Sequence, residues 1–220
     1  MRDTHVIELL GAAASGKSGL ATALARTPGT VVVKDHDLRD LPHLLWGATR
    51  SWPVLFEDPP AGATRLRWAA WAGRLSAAPA LAGRHAPCGG LVVLDQGPAY
   101  TLTRMVSVRG TPRGSHWWHR QACGTARLLD VLVVLETDPQ TLSRRLHARP
   151  KEHRATVLDV SRTRDYLEIE RGTCRVVADA IARTGTPVVY LDTGRLPLPE
   201  QVTAVHTALN DATRRNRSCR

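Results

Sequence analysis

Lysine is almost missing from this chain. Of its 30 basic residues only Lys17, Lys34 and Lys151 are lysines, and the other 27 are arginines. Against that background a lysine hints that a compact ammonium serves where a guanidinium would not. Closely spaced cysteines are also missing. Cys88, Cys123, Cys174 and Cys219 form no C-x-x-C pair, which excludes that metal or redox motif and reads as reduced cytosolic thiols. No apolar stretch approaches the roughly 20 residues of a membrane helix. Met1-Arg2-Asp3-Thr4 leads straight into the first apolar run without the pattern of a signal peptide. The expectation is a soluble, cytoplasmic protein with no membrane partner. Acidic residues are outnumbered, 20 against 30, for a formal charge of +10. Such a charge invites nucleic acid. However, aromatics make up only 5%, no basic-aromatic repeat occurs, and no zinc-finger or helix-turn-helix signature is found, so nucleic acid is disfavoured. There is no G-x-S-x-G nucleophile motif, no His/Cys/Asp/Glu set with metal-ligand spacing, no internal repeat and no linker.

What is there begins at residue 11. Gly11-Ala12-Ala13-Ala14-Ser15-Gly16-Lys17-Ser18 is a complete G-x-x-x-x-G-K-[ST] loop, with an apolar run before it and a helix-like stretch after it. Gly11 and Gly16 permit backbone angles that a side chain forbids. The amides of Ala12 to Lys17 can turn toward a phosphate, and the following helix adds its positive dipole end. Lys17 is expected to reach the β- and γ-phosphates and Ser18 to ligate Mg²⁺. Gly19 completes the expected nucleotide-binding set.

Five apolar runs read as buried parallel strands: 5–10, 30–34, 91–94, 131–135 and 187–191. Each is followed by Gly11, Asp35, Asp95, Glu136 or Asp192, which gather along the carboxyl edge where ligands bind in open parallel sheets. Helical patterns alternate with the strands: Ser18–Arg26, 38–50, 64–84, 98–108, 117–130, Pro139–His147 with Asp138 as N-cap, 162–184 with Gly185 as its stop, and Pro199–Ala212. The chain reads as one domain over 1–212, with an insertion at 38–90, a lid at about 144–160, and a basic, disordered tail at 213–220.

Three further constellations carry chemistry. Asp95, closing Val93-Leu94-Asp95-Gln96-Gly97, has the arrangement of an acid that holds a Mg²⁺ water or accepts a proton from an attacking hydroxyl. Lys34-Asp35-His36-Asp37 places two carboxylates on one face of an extended segment. One suits a general base and the other a metal shell, unless Asp37 merely caps the helix that follows. The segment Arg144 to Arg154 is a basic flap whose Arg145, Arg149 and Lys151 can meet a transferring phosphoryl group. A weaker signal, Asp192-Thr193-Gly194-Arg195, marks a loop that can pack against a nucleotide base, with Arg195 in the nucleotide set. The tryptophans Trp46, Trp52, Trp68, Trp71, Trp117 and Trp118 read first as helix packing and second as a stacking surface for an acceptor.

These features, in this order, resemble P-loop kinases of the nucleoside/nucleotide and small-molecule group. The resemblance implies an α/β three-layer P-loop NTPase fold, with a five-stranded parallel sheet in order 2-3-1-4-5, and transfer of the γ-phosphoryl group of ATP with Mg²⁺. Lys34-Asp35-His36-Asp37 resembles the D-x-D of shikimate kinases, which would make Asp37 the base and Asp35 a metal-shell acid. Gly16-Lys17-Ser18-Gly19 with an acid after the second strand is similar to chloramphenicol phosphotransferase. Asp95-Gln96-Gly97 resembles the Asp-Arg strand end of thymidylate kinases, with Gln96 at the arginine position.

The sequence therefore predicts an ATP-dependent phosphotransferase, with GTP as the alternative donor, acting on a hydroxyl or phosphate of a small molecule. Lys17, Asp37, Asp95, Arg145 and Arg149 are the expected catalytic residues. Lys34, Asp35, Asp37 and Lys151 are expected at the acceptor, and Ser18, Asp35 and Asp95 at Mg²⁺. A homodimer is compatible with the sequence. A nucleic-acid-associated or regulatory NTPase is the competing reading, and a binding-only P-loop module a third.

Overall fold

The apolar runs become the strands, the three central ones buried on both faces and the two edge strands partly exposed. A computed structural model describes residues 4–34, 64–85, 89–109, 116–148, 155 and 159–218. Its strands are β1 (His5–Gly11), β2 (Thr30–Lys34), β3 (Leu91–Asp95), β4 (Val131–Glu136) and β5 (Val188–Asp192). They form one parallel sheet in the order β2-β3-β1-β4-β5, the three-layer P-loop arrangement. From β1 the chain goes to one side for β2 and β3, then returns to the other for β4 and β5. Ligand crevices open at the carboxyl ends beside such a reversal. Those ends are Gly11, Lys34, Asp95, Glu136 and Asp192. Each of the last three acids is the final residue of its strand rather than the first residue beyond it.

Among the described residues the helices are α1 (Lys17–Leu24), α2 (Arg65–His85), α3 (Pro98–Arg109), α4 (His116–Leu128), α5 (Pro139–His147), α6 (Val160–Ala182) and α7 (Leu198–Ser218). Alternation along β1 separates two cores. Ile7 and Leu9 join Leu20 and Leu24 of α1 and Val205 and Leu209 of α7 on one face. Leu10 joins Trp68, Leu102, Ala126 and Val177, from α2, α3, α4 and α6, on the other. A third cluster lies over the phosphate loop: Ala12 and Ala14 pack with Leu142, Leu146, Ala155 and Leu167, and Tyr166 closes it.

Asp138 caps α5 as expected, its carboxylate accepting from the Thr141 amide at 2.8 Å. Trp68 and Trp71 belong to the core, packed edge to face with ring centroids 6.3 Å apart, in line with the packing role. Trp46 and Trp52 lie outside the described residues. One expectation is corrected. The closing helix does not stop at 212 with a disordered tail but runs through Ser218. Thr213 helps hold that extension, its hydroxyl donating to the Leu209 carbonyl at 2.8 Å and lying 3.5 Å from His5 Nε2. The turn after residue 212 is thereby fastened to the start of β1. None of the described helices is long and apolar enough to cross a membrane.

Candidate active site

The phosphate loop leaves β1 at Gly11 and enters α1 through Gly16. Two residues carry its curvature in left-handed backbone, Ala14 at φ 64° and Gly16 at φ 98°. The first is a strained position for a side chain-bearing residue, and such strain persists only where surroundings impose it. Here Ala14 is buried in the third cluster. Ser15 closes the turn by donating its amide to the Ala12 carbonyl at 3.2 Å. Lys17 folds back over the loop, its Nζ 2.6 Å from the Gly11 carbonyl, 2.8 Å from that of Ala12 and 3.4 Å from Ser15 Oγ. The only formal charge borne by the loop's own side chains thus hangs over its opening residues. Ser18 is exposed at the start of α1.

Gly11 has no room for a side chain. A Cβ there would stand 2.6 Å from the Leu135 carbonyl oxygen and 2.6 Å from Ser15 Oγ, and the first of these is backbone of the neighbouring strand. Gly11→Ala should therefore distort the loop, costing roughly 1–3 kcal/mol of stability as overpacking does. It should also lower triphosphate affinity by about tenfold or more, each ~1.4 kcal/mol of distortion being a factor of ten. Denaturant titration and calorimetry measure the two effects.

A cleft of about 340 Å³ opens beside the far end of the loop, lined by Ala14, Gly16, Gly19, Arg145, Thr193, Leu198 and Gln201. Its walls are tied together through Thr193. The Thr193 hydroxyl donates to the Ser15 carbonyl at 2.9 Å. Arg145 reaches from α5 to donate to the Thr193 carbonyl at 2.8 Å and to its Oγ1 at 3.3 Å. Arg195, expected in the nucleotide set, is an exposed residue whose Nε lies 3.4 Å from Asp192 Oδ2.

The strand-end acids have different surroundings. Glu136 is engaged by Arg175 of α6 through two hydrogen bonds, Nε to Oε1 at 2.6 Å and Nη2 to Oε2 at 3.1 Å. The Arg175 contact holds its carboxyl below the usual range. Asp192 accepts from the Gly194 amide at 2.9 Å. Asp95 ends β3 in register with Leu9 of β1 and with Lys34 of β2, so Lys34 and Asp95 close neighbouring strands at one edge. Asp35, Asp37, Arg149 and Lys151 lie outside the described residues.

Two acids that the sequence reading passed over belong to this site. Glu8 is fully buried in the middle of β1. It accepts from the Ala99 and Tyr100 amides at the start of α3, at 2.8 and 2.7 Å. Burial pushes its carboxyl up to about 8, against the pull of those two amides, and the nearby Asp95 adds to the rise. The turn after Asp95 is fitted to it: Gln96 is left-handed at φ 69°, and a Cβ on Gly97 would stand 2.9 Å from the Glu8 carboxyl. A charged residue inside a doubly covered strand was the available signal. Glu170, on α6, accepts from the Ala13 amide at 2.9 Å and from the Tyr166 hydroxyl, and lies 3.7 Å from Arg104 Nη1. No local pattern announces that contact, which joins residues 157 positions apart. Beneath the loop lies Cys174, whose thiol is pushed up to about 12 by burial, so it stays protonated at neutral pH.

No protein-family model matches the chain, and no curated protein does. Solved structures do. A deoxyadenosine kinase from M. mycoides with bound dCTP superposes with a TM-score of 0.53 at 12% identity, covering 94% of this chain and 99% of that one. The same enzyme with bound dATP gives 0.52 at 12%. With the products dCMP and a flexible dCDP it gives 0.55 at 13% identity, with the same coverage. At such identity the likeness is one of fold.

Proposed function

We propose that this chain is an ATP- and Mg²⁺-dependent phosphotransferase whose acceptor is a hydroxyl of a nucleoside-like small molecule. The observation that carries this reading is the position of Lys17, whose ammonium lies over a glycine-bounded loop that opens into a cleft of base size. The deoxyadenosine kinases of the same fold support a nucleoside as the first acceptor class to test.

A purine fits the cleft between Arg145 and the Thr193 loop, where a guanidinium can stack on its face. Phosphates running from that cleft along the loop amides reach Lys17, which exchanges its carbonyl partners for phosphate oxygens. Mg²⁺ fits the donor set. Ser18 and Asp95 offer hard oxygen ligands, and Mg²⁺ commonly takes one or two protein oxygens together with phosphates and water. Among the described residues no group of three His, Cys, Asp or Glu could hold a metal by itself. When bound, the ion would neutralise charge on the phosphates. The acceptor oxygen forms its bond to the γ-phosphorus as the bond to the ADP oxygen breaks. The hydroxyl proton passes to a carboxylate, either Asp95 or Asp37, which follows Lys34 in the chain. Asp35, Arg149 and Lys151 complete the proposed acceptor and lid set.

Arg145 donates to Thr193 at the base end of the cleft, which fits nucleotide affinity better than the transfer step. Arg145→Ala should raise the KM for ATP by about tenfold, the size of one lost stacking or charge-assisted contact, and change kcat much less. Steady-state kinetics measure both. The reading as a whole is tested by ADP release with ATP, Mg²⁺ and a panel of nucleosides and other hydroxylated metabolites. Release driven by DNA or RNA instead, falling steeply with salt, would favour a polyanion-stimulated NTPase.

A further inference from the structure

The Ala13 amide is already engaged by an anion. The base-sized cleft adjoins Gly16 and Gly19, whereas Lys17 Nζ hangs over Gly11 and Ala12. A row of phosphates that starts in the cleft and passes Lys17 therefore ends beside Ala12 and Ala13. The Ala13 N–H is the donor at that end, and Glu170 Oε2 holds it at 2.9 Å. Glu170 is not a stray surface acid. Its other oxygen accepts from the Tyr166 hydroxyl, one turn earlier on α6, and Arg104 of α3 lies 3.7 Å away. Its side chain is only 19% exposed.

We infer that Glu170 stands in for a terminal phosphoryl oxygen and so sets the loop's preference between diphosphate and triphosphate. The inference rests on the phosphotransferase reading. A diphosphate ends short of Ala13 and leaves the Glu170 contact in place. A triphosphate needs that amide and brings negative charge against the carboxylate, so it must displace Glu170. The displaced carboxylate gives up part of its hold on Arg104, whose guanidinium then faces the incoming charge. Glu170 thus weakens triphosphate binding and spares the diphosphate, acting as a specificity-determining residue rather than a participant in bond making.

The test is calorimetry on the full chain with Mg²⁺, using ADP and the β,γ-imido analogue of ATP, on the wild type and Glu170→Gln. The variant keeps the size and one acceptor but removes the charge. It should bind the imido analogue about tenfold more tightly, a modest fraction of a close like-charge repulsion at an effective dielectric of about 20, with ADP affinity unchanged. An unchanged ratio, or equal weakening of both ligands, would show that Glu170 merely braces the loop and would overturn the inference alone. If neither ligand binds the wild type, the phosphotransferase reading fails and this inference with it. Should Glu170→Gln melt as an unfolded chain, Glu170→Asp decides. Its shorter carboxylate withdraws from Ala13 while staying near Arg104, and it should shift the ratio in the same direction. A ratio equal to that of the wild type overturns the inference.

Discussion

Lys17→Ala should abolish turnover and leave the fold standing. The Lys17 ammonium sits 2.6 and 2.8 Å from two loop carbonyls, neutral partners that phosphate oxygens outbid on charge alone. In the transfer step negative charge spreads over the equatorial oxygens of the moving phosphoryl group. A fixed cation there meets that charge as it develops, and removing one such donor slows chemistry by about 10²–10³-fold. Loss of ground-state binding adds to that. Folding depends less on the same contacts. They are hydrogen bonds from a part-buried side chain to carbonyls of the buried residues Gly11 and Ala12, and truncation removes the donor at a cost of about 1–3 kcal/mol. Single-turnover transfer of labelled γ-phosphate and a thermal melt by circular dichroism measure the two quantities. Full activity in the variant would refute the assignment of Lys17, and collapse of the melt would show that the loop itself needs the ammonium.

Stability should decline as the solution moves from mildly acid to mildly alkaline, and Glu8 should be the main cause. Its folded carboxyl is raised from an ordinary 4.5 to about 8 by burial. The folded chain therefore keeps a proton that the unfolded chain has released throughout that interval. For a raised acid the stabilisation is complete below about 4.5, shrinks as pH climbs, and is gone above about 8. At ~1.36 kcal/mol per pH unit the effect is at most about 5 kcal/mol. Glu136, held low by Arg175, has the opposite sign: its contribution is complete above the ordinary carboxylate value and falls away only below it, and it is partly exposed, so its effect is screened. Urea denaturation from pH 5 to pH 9 should show the decline in the wild type. In Glu8→Gln the slope should flatten. The variant should be weaker at pH 5 by roughly 1–3 kcal/mol, because its amide NH₂ meets one of the two α3 amides as donor against donor. A wild-type curve as flat as the variant's would overturn this account of Glu8.

Much of the sheet can be read from the sequence because its signals are local. The run Val131-Leu132-Val133-Val134-Leu135 is apolar at every position, as a strand covered on both faces must be, and it lies at the centre of both cores. The phosphate loop is legible for the same reason: Gly11 and Gly16 are conditions on the backbone of one short segment. What escaped depends on distance. Glu8 looks like an interruption in an apolar run until α3, more than 90 residues on, brings two amides to it. Glu170 looks like one charge among several on a long helix until α6 is laid across the loop. The extension of α7 to Ser218 escaped because residues 213–218 are polar and basic, and the sequence does not show that Thr213 meets His5. Arg145 was legible as a cation near the site, but its contact with Thr193 depends on the turn after β5.

The Thr193 hydroxyl reaches Ser15 on one side while Arg145 grips the same residue on the other. The shelf that would receive a purine and the rim that would hold its tail therefore move as one piece. On the proposed phosphotransferase reading, reshaping the shelf to admit a different donor base should also disturb the rim, so that donor choice and catalytic rate change together.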